Sequence, residues 1–215
     1  MRLTIFTLSI LLFSATTFAQ KSSSKSMAIL DKVSQLFEQS EGVKLSFTIA
    51  PDSPDGGAFA PQQGVAFIKK DKFKLDMSFS TTWFNGTTQW VLLKDANEVN
   101  ISKPSAEELI GISPLGILNM YKTNYRLKEP IEASFNGKAT TQIEMIPNNK
   151  WQDFESITIV IDSKTNNVLM MRFTNRDGSK NKLTIADYSS NNKFTNDLFQ
   201  FNKDNHPGVE IIDLR

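Results

Sequence analysis

The chain has no cysteine and a single histidine, and these two shortages remove much of enzyme chemistry at the outset. Without a thiolate, and with one imidazole, no ordinary zinc site or cysteine nucleophile can be assembled. The lone His206 stands between Asn205 and Pro207 and reads as a solvated turn residue. No G-x-S-x-G nucleophile elbow occurs, and Gly56-Gly57 lies in a loop with no following helix to cradle a phosphate. Two carboxylate pairs, Glu107-Glu108 and Asp153/Glu155, are better read as a helix cap and a solvated strand edge than as a glycosidase pair. Charge imbalance is missing too. The 24 Lys and Arg are matched by 23 Asp and Glu, which argues against nucleic acid or an anionic membrane surface as the main partner. These absences point to a protein that is not an enzyme and uses neither metal nor cofactor.

Long apolar runs are also lacking. Leu3 to Phe13 is mostly apolar but falls short of the roughly 20 residues that span a bilayer. It follows the positive Arg2 and ends in Thr17-Phe18-Ala19 before Gln20, small side chains where a signal peptidase requires them. The expectation is a signal peptide at 1–19 cut after Ala19. With no cysteine at the cut the product cannot be acylated, and it needs no disulfides outside the reducing cytoplasm. Gln20 to Lys25 is polar and Ser-rich and is expected to be a disordered linker, with one domain over 26–215.

What is present is a sheet protein. Ile29, Leu30, Val33, Leu36 and Phe37 recur on one helical face, and Gly42 is expected to end that helix. Strand alternation then takes over. Val43, Leu45, Phe47 and Ile49 alternate with polar residues, as do Phe73, Leu75, Met77 and Phe79. Val65 to Ile68, Gln89 to Leu93, Glu98 to Ile101, Tyr125 to Leu127, Gln142 to Ile146, Ile157 to Ile161, Val168 to Phe173 and Lys182 to Ile185 read as further strands. Asn85-Gly86 predicts a hairpin turn. Short turns between sequential strands predict roughly ten strands in one antiparallel meander.

Two short helices interrupt it. Ser105-Ala106-Glu107-Glu108 fits a capping box, followed by Leu109, Ile110 and Gly111. Ser113-Pro114 opens a second helix carrying Leu115, Ile117, Leu118, Met120 and Tyr121. They read either as a plug at one end of the sheet or as a lid. Sixteen Phe against three Tyr supply apolar area without polar tips, which suits a thick core or an apolar cavity for a lipid-like ligand.

Several segments resemble, in order, the periplasmic outer-membrane lipoprotein carrier family, LolA. Leu30-Asp31-Lys32-Val33 followed by Leu45-Ser46-Phe47-Thr48 resembles its opening helix and first strand. Gly64 to Lys70 resembles its second strand, and Phe84-Asn85-Gly86-Thr87-Thr88-Gln89-Trp90 its D-G-K-x-L-W hairpin. Ser113-Pro114-Leu115 to Leu118 resembles N-P-x-x-L-L, and Phe199 to Asp213 the F-x-F-x-P-P-x-G-V-x-V close.

The resemblance implies an incomplete antiparallel barrel with a helical lid over an apolar concave face. It implies a monomeric periplasmic chaperone that takes triacylated lipoproteins from an ATP-driven (ABC-type) inner-membrane complex. Delivery to the outer membrane then follows, in some members through a receptor lipoprotein. The cavity residues expected on this reading are Phe47, Phe67, Leu75, Met77, Trp90, Leu92 and Met170, with Leu109, Leu115, Leu118 and Met120 in the lid. Family members carry Arg-Pro after the second strand, and that Arg ties the lid closed. Here Lys70-Asp71 stands there, and a Lys cannot give the same planar, bidentate contacts, so Lys70 is a candidate lid or entrance residue. The alternative reading is a periplasmic sensor, or a binder of another lipid or envelope component, on the same fold.

Overall fold

The computed structural model describes residues 22–53, 59–105, 108–109, 116, 119–123, 125–149 and 154–215. The expected leader at 1–19 therefore lies outside the described residues, as do Leu115 and Leu118. Helix α1 (Ser24–Gln39) comes first. It is followed by β1 (Val43–Pro51), β2 (Gln62–Lys69), β3 (Lys72–Met77), β4 (Ser80–Phe84), β5 (Gln89–Leu93) and β6 (Glu98–Ser102). Beyond the helical insertion come β7 (Tyr125–Leu127), β8 (Ile131–Phe135), β9 (Lys138–Pro147), β10 (Phe154–Asp162), β11 (Val168–Asn175) and β12 (Lys180–Ser189). Two 3₁₀ turns, Asn196–Phe199 and Lys203–Asn205, precede β13 (Glu210–Asp213).

All the strands belong to one sheet in the order β13-β6-β5-β4-β3-β2-β1-β12-β11-β10-β9-β7, with β8 also paired to β9. Pairing of β1 with β12 welds the two meanders together. The ends, β13 on one side and β7 and β8 on the other, do not pair with each other among the described residues, so the sheet is an incomplete barrel. Thirteen strands are present among the described residues where about ten are predicted. Two of the extra ones are β8, a short edge strand, and β13. The latter breaks the antiparallel rule by running parallel to β6, because residues 190–209 carry the chain across to that edge before it pairs.

α1 packs against one face of the sheet, here termed the inner face. Leu30, Val33 and Phe37 form its buried stripe against Val43, Leu45, Ile68, Phe73, Ile143, Met145, Ile157 and Ile159. The helix starts at Ser24 rather than Ser26, because Ser23 accepts a hydrogen bond from the Ser26 N–H at 3.2 Å. Residues 22–25 are thus ordered where a linker is predicted. The Ser23 N–H donates to the Leu127 carbonyl at 3.0 Å, and Ser22 Oγ accepts from the Leu127 N–H at 2.9 Å. At the other end the helix stops at Gln39 with an extended Ser40, not with a left-handed glycine. Gly42 serves close approach instead, since a Cβ there would lie 2.5 Å from the Asn192 carbonyl oxygen and 2.7 Å from the Phe194 ring.

The end of β1 is tied to β11 and β12 by Asp52. Its N–H donates to the Lys180 carbonyl at 2.7 Å, and its carboxylate accepts from Arg172 Nε and from Lys182 Nζ, the latter at 3.1 Å. Burial pulls this carboxyl upward, but the hydrogen bonds and charges of Arg172 and Lys182 outweigh it and hold Asp52 below the ordinary carboxylate range. A carboxyl depressed in the folded state contributes stability above its unfolded value, near 3.9, and loses it as the pH falls through the folded value. Asp52→Asn should therefore lower the urea midpoint at neutral pH, with the gap to the parent protein closing between about pH 5 and pH 2. A gap that stays constant over that range would remove the assignment.

Candidate functional site

Strand alternation sorts the predicted cavity residues onto two faces. Across β1, β2 and β3, Phe47 pairs with Gly64 and Gly64 with Met77, while Leu45 pairs with Ala66 and Ala66 with Leu75. These side chains share the inner face with α1. Phe67 instead pairs with Lys74, Lys74 with Trp83, and Trp83 with Trp90. That row points outward, and Leu92 joins it in a second apolar cluster with Trp83, Val99 and Val209. Met170 lies on the outer side of β11 beside Val160, while its neighbour Met171 joins the inner cluster. The structure thus brings Phe47, Leu75 and Met77 together and places Phe67, Trp90, Leu92 and Met170 elsewhere.

The outer cluster has its own cover. Residues 194–209 lie over it, with the Phe194 ring 5.7 Å from Phe67 and the Phe201 ring 5.6 Å from Trp83, centroid to centroid. His206, predicted to be solvated, stacks on Phe201 at 5.1 Å and meets the edge of Trp83 at 5.8 Å. It joins the rings that cover this face.

On the inner face, too, the cover is incomplete. Beyond α1, Ile49, Leu75, Met77, Phe154, Phe173, Leu183 and Ile185 pack against the core yet remain partly open. They form a continuous apolar track: Ile49 pairs with Leu183, Leu183 with Met171, and the Phe154 and Phe173 rings lie 5.3 Å apart. Five of these seven are absent from the predicted cavity. Their strands are recognisable in the sequence except at Phe154, but nothing in a single strand says which rows a helix will cover. Gly64 sits under the track. A Cβ there would come within 2.4 Å of Met77 Sδ and 2.5 Å of Phe47 Cζ, so only glycine lets both side chains lie flat across the strand.

The described ends of the segment between β6 and β7 both meet the core. The predicted capping box forms, with Glu108 Oε2 accepting from the Ser105 N–H at 2.7 Å and Ser105 Oγ from the Glu108 N–H at 3.2 Å. Leu109 and Met120 pack against the inner cluster. The far end is clipped to α1: Tyr121 donates its hydroxyl to Asp31 Oδ1 at 2.6 Å, and Ser34 Oγ reaches Asn119 Oδ1 at 2.8 Å. Burial, with the Asp31 carboxylate adding to it, raises the Tyr121 hydroxyl and keeps it a donor. Lys70 plays no part in this clip. It occupies the β2–β3 turn with φ of 57° and borders a surface groove with Glu41, Lys193, Phe194 and Thr195.

Among the described residues no group of His, Cys, Asp or Glu could hold a metal ion, and no helix is long and apolar enough to cross a membrane. Among the described residues, an open sheet carries one long helix and an apolar, half-covered face beside Leu109 and Met120, an architecture suited to binding an apolar ligand. Residues 15–177 match the family described as outer membrane lipoprotein carrier protein LolA, and the chain belongs to that family.

No curated protein matches it by sequence. Among solved structures, an uncharacterized conserved protein from Thermus thermophilus is similar, with a TM-score of 0.61 at 11% identity over 88% of this chain and 99% of that one. A DUF1329 family protein from Desulfovibrio piger gives 0.51 at 11% identity, covering 84% and 98%. A putative outer membrane lipoprotein-sorting protein domain from Vibrio parahaemolyticus gives 0.47 at 12%, covering 81% and 95%. At these identities the likeness is one of fold.

Replacing Gly64 tests whether the open track binds. Gly64→Ala should push Phe47 and Met77 into the track, costing about 1–3 kcal/mol of stability. It should also weaken binding of a fluorescent fatty-acid probe severalfold while the protein stays folded at room temperature. Unchanged probe affinity would place binding elsewhere.

Proposed function

We propose that the chain is a periplasmic carrier that takes up the acyl chains of lipoproteins on its inner face and moves them from the inner to the outer membrane. The observation that carries this reading is the apolar track from Ile49 through Leu183 to Phe154 and Phe173, left partly open on the sheet of a LolA-family chain. The remaining parts of the proposal are export with cleavage after Ala19, receipt of cargo from an ATP-driven inner-membrane complex, and delivery directly or through an outer-membrane receptor.

Magnitudes favour a partly open site over a sealed one. Each buried methylene is worth about 0.8 kcal/mol, so three acyl chains resist leaving a bilayer by several tens of kcal/mol. A soluble carrier must offset most of that and still release. Apolar side chains without directional hydrogen bonds do both, and Met77 adds a deformable thioether.

The test is release of a labelled outer-membrane lipoprotein from spheroplasts that contain the cognate inner-membrane complex. Purified protein should bring the lipoprotein into the soluble fraction as a one-to-one complex. Phe173→Glu and Leu183→Glu, each placing a carboxylate on the track, should cut release at least tenfold, because a carboxylate cannot be desolvated against an acyl chain at low cost. No release by the parent protein would remove the carrier function and leave a sensor or a binder of another envelope lipid.

A further inference from the structure

The inner face gains polar groups across β4, β5 and β6. Leu75 on β3 pairs with Thr82 on β4, Thr82 with Val91 on β5, and Val91 with Asn100 on β6, so one row leads from the apolar track onto an amide. The next row leads from Phe84 to Gln89 and Ser102. Thr82, Gln89, Asn100 and Ser102 are all partly buried, and only part of their hydrogen-bonding capacity is spent. Ser102 Oγ donates to Gln89 Oε1 at 3.2 Å, and Asn100 Nδ2 donates to Glu98 Oε1 at 2.7 Å. The Gln89 amide N–H groups and the Thr82 hydroxyl are left as donors, and Asn100 Oδ1 as an acceptor, on the face that carries the track.

We infer that this polar end holds the ester- and amide-linked head of an acylated cysteine, with its acyl chains lying along the track. The inference rests on the reading of the inner face as the acyl-chain site and adds the direction in which the ligand lies. Length allows it. From β3 to β10 the track crosses five interstrand spacings, about 24 Å. One acyl chain fills half of a bilayer core roughly 30 Å thick, so it fits on the track from end to end. Hydrogen bonding then fixes which end carries the head. Ester carbonyls only accept, and Gln89 and Thr82 can donate to them; the N-acyl amide carries an N–H, which Asn100 Oδ1 can accept. The charged member of this hydrogen-bonded group is Glu98, which repels a phosphate. The polar end therefore favours an uncharged, ester- and amide-linked head over that of a phospholipid with equally long chains.

Two synthetic triacylated cysteinyl peptides test this, one with ester-linked glyceryl chains and one with ether links that lack the carbonyls. The parent protein should bind the ester form about threefold to tenfold more tightly, as the net worth of a neutral hydrogen bond dictates. Gln89→Met with Thr82→Val, each similar in size to the residue replaced, should abolish that preference by weakening the ester form alone. Affinity for the ether-linked peptide and for the fluorescent fatty-acid probe should stay unchanged, which a general disturbance of the sheet would not allow. The parent protein's preference needs no variant, so it is measurable even if the double variant folds poorly. Equal affinity of the parent protein for the two peptides, or a preference that persists in the double variant, would overturn the inference and leave the track as the acyl site. Failure to bind the fatty-acid probe and both peptides would instead remove the acyl-site reading on which the inference stands.

Discussion

One geometric mismatch shapes this molecule: the long helix α1 packs on a sheet much wider than itself. At 1.5 Å per residue, the 16 residues of α1 give a rod about 24 Å long and roughly 10 Å across. A path of twelve strands spaced about 4.8 Å apart spans some 50 Å along its curve. The Leu30, Val33 and Phe37 stripe can therefore bury only part of the inner face. The helical insertion adds Leu109 and Met120, and what neither covers stays apolar and partly open. The exposed track is the remainder of that mismatch.

The outer face solves the same problem differently. β2, β4 and β5 carry apolar side chains in both directions, as in a sheet covered on both sides. Residues 194–209 supply the second cover with rings from Phe194, Phe201 and His206. Composition alone therefore cannot tell the two faces apart. Phe67, Trp90 and Leu92 are as apolar as Leu75 and Met77, but they lie on the opposite face, which residues 194–209 partly cover.

How much could be read from the sequence follows from the range of each signal. Local chemistry was plain: the Ser105–Glu108 capping box, the Asn85 turn whose Oδ1 accepts from the Thr87 and Thr88 N–H groups, and the alternation of β1. Signals that depend on a distant partner were not. Nothing near Ser23 announces that it caps a helix while bonding Leu127, and nothing near Gly42 announces Phe194. The β3–β4 turn lacks Gly, Asn and Pro, so alternation through Phe79 reads as continuous strand when the chain in fact reverses at Ser78-Phe79. Assigning Phe67 and Leu75 to one site is an error of the same kind, because each strand gives its own parity and only the pairing of Ala66 with Leu75 fixes one against the other.

The strap over the outer face also sets an order of events in folding. Trp83, Leu92 and Val99 are made early, but the cluster they belong to is completed by Phe201 and Val209, far later in the chain. Likewise β6 receives its outer neighbour only when β13 arrives, and β1 meets β12 only after the whole second meander exists. Contacts of such long sequence separation form slowly. A nascent chain built this way can complete these contacts only once nearly all of it is available.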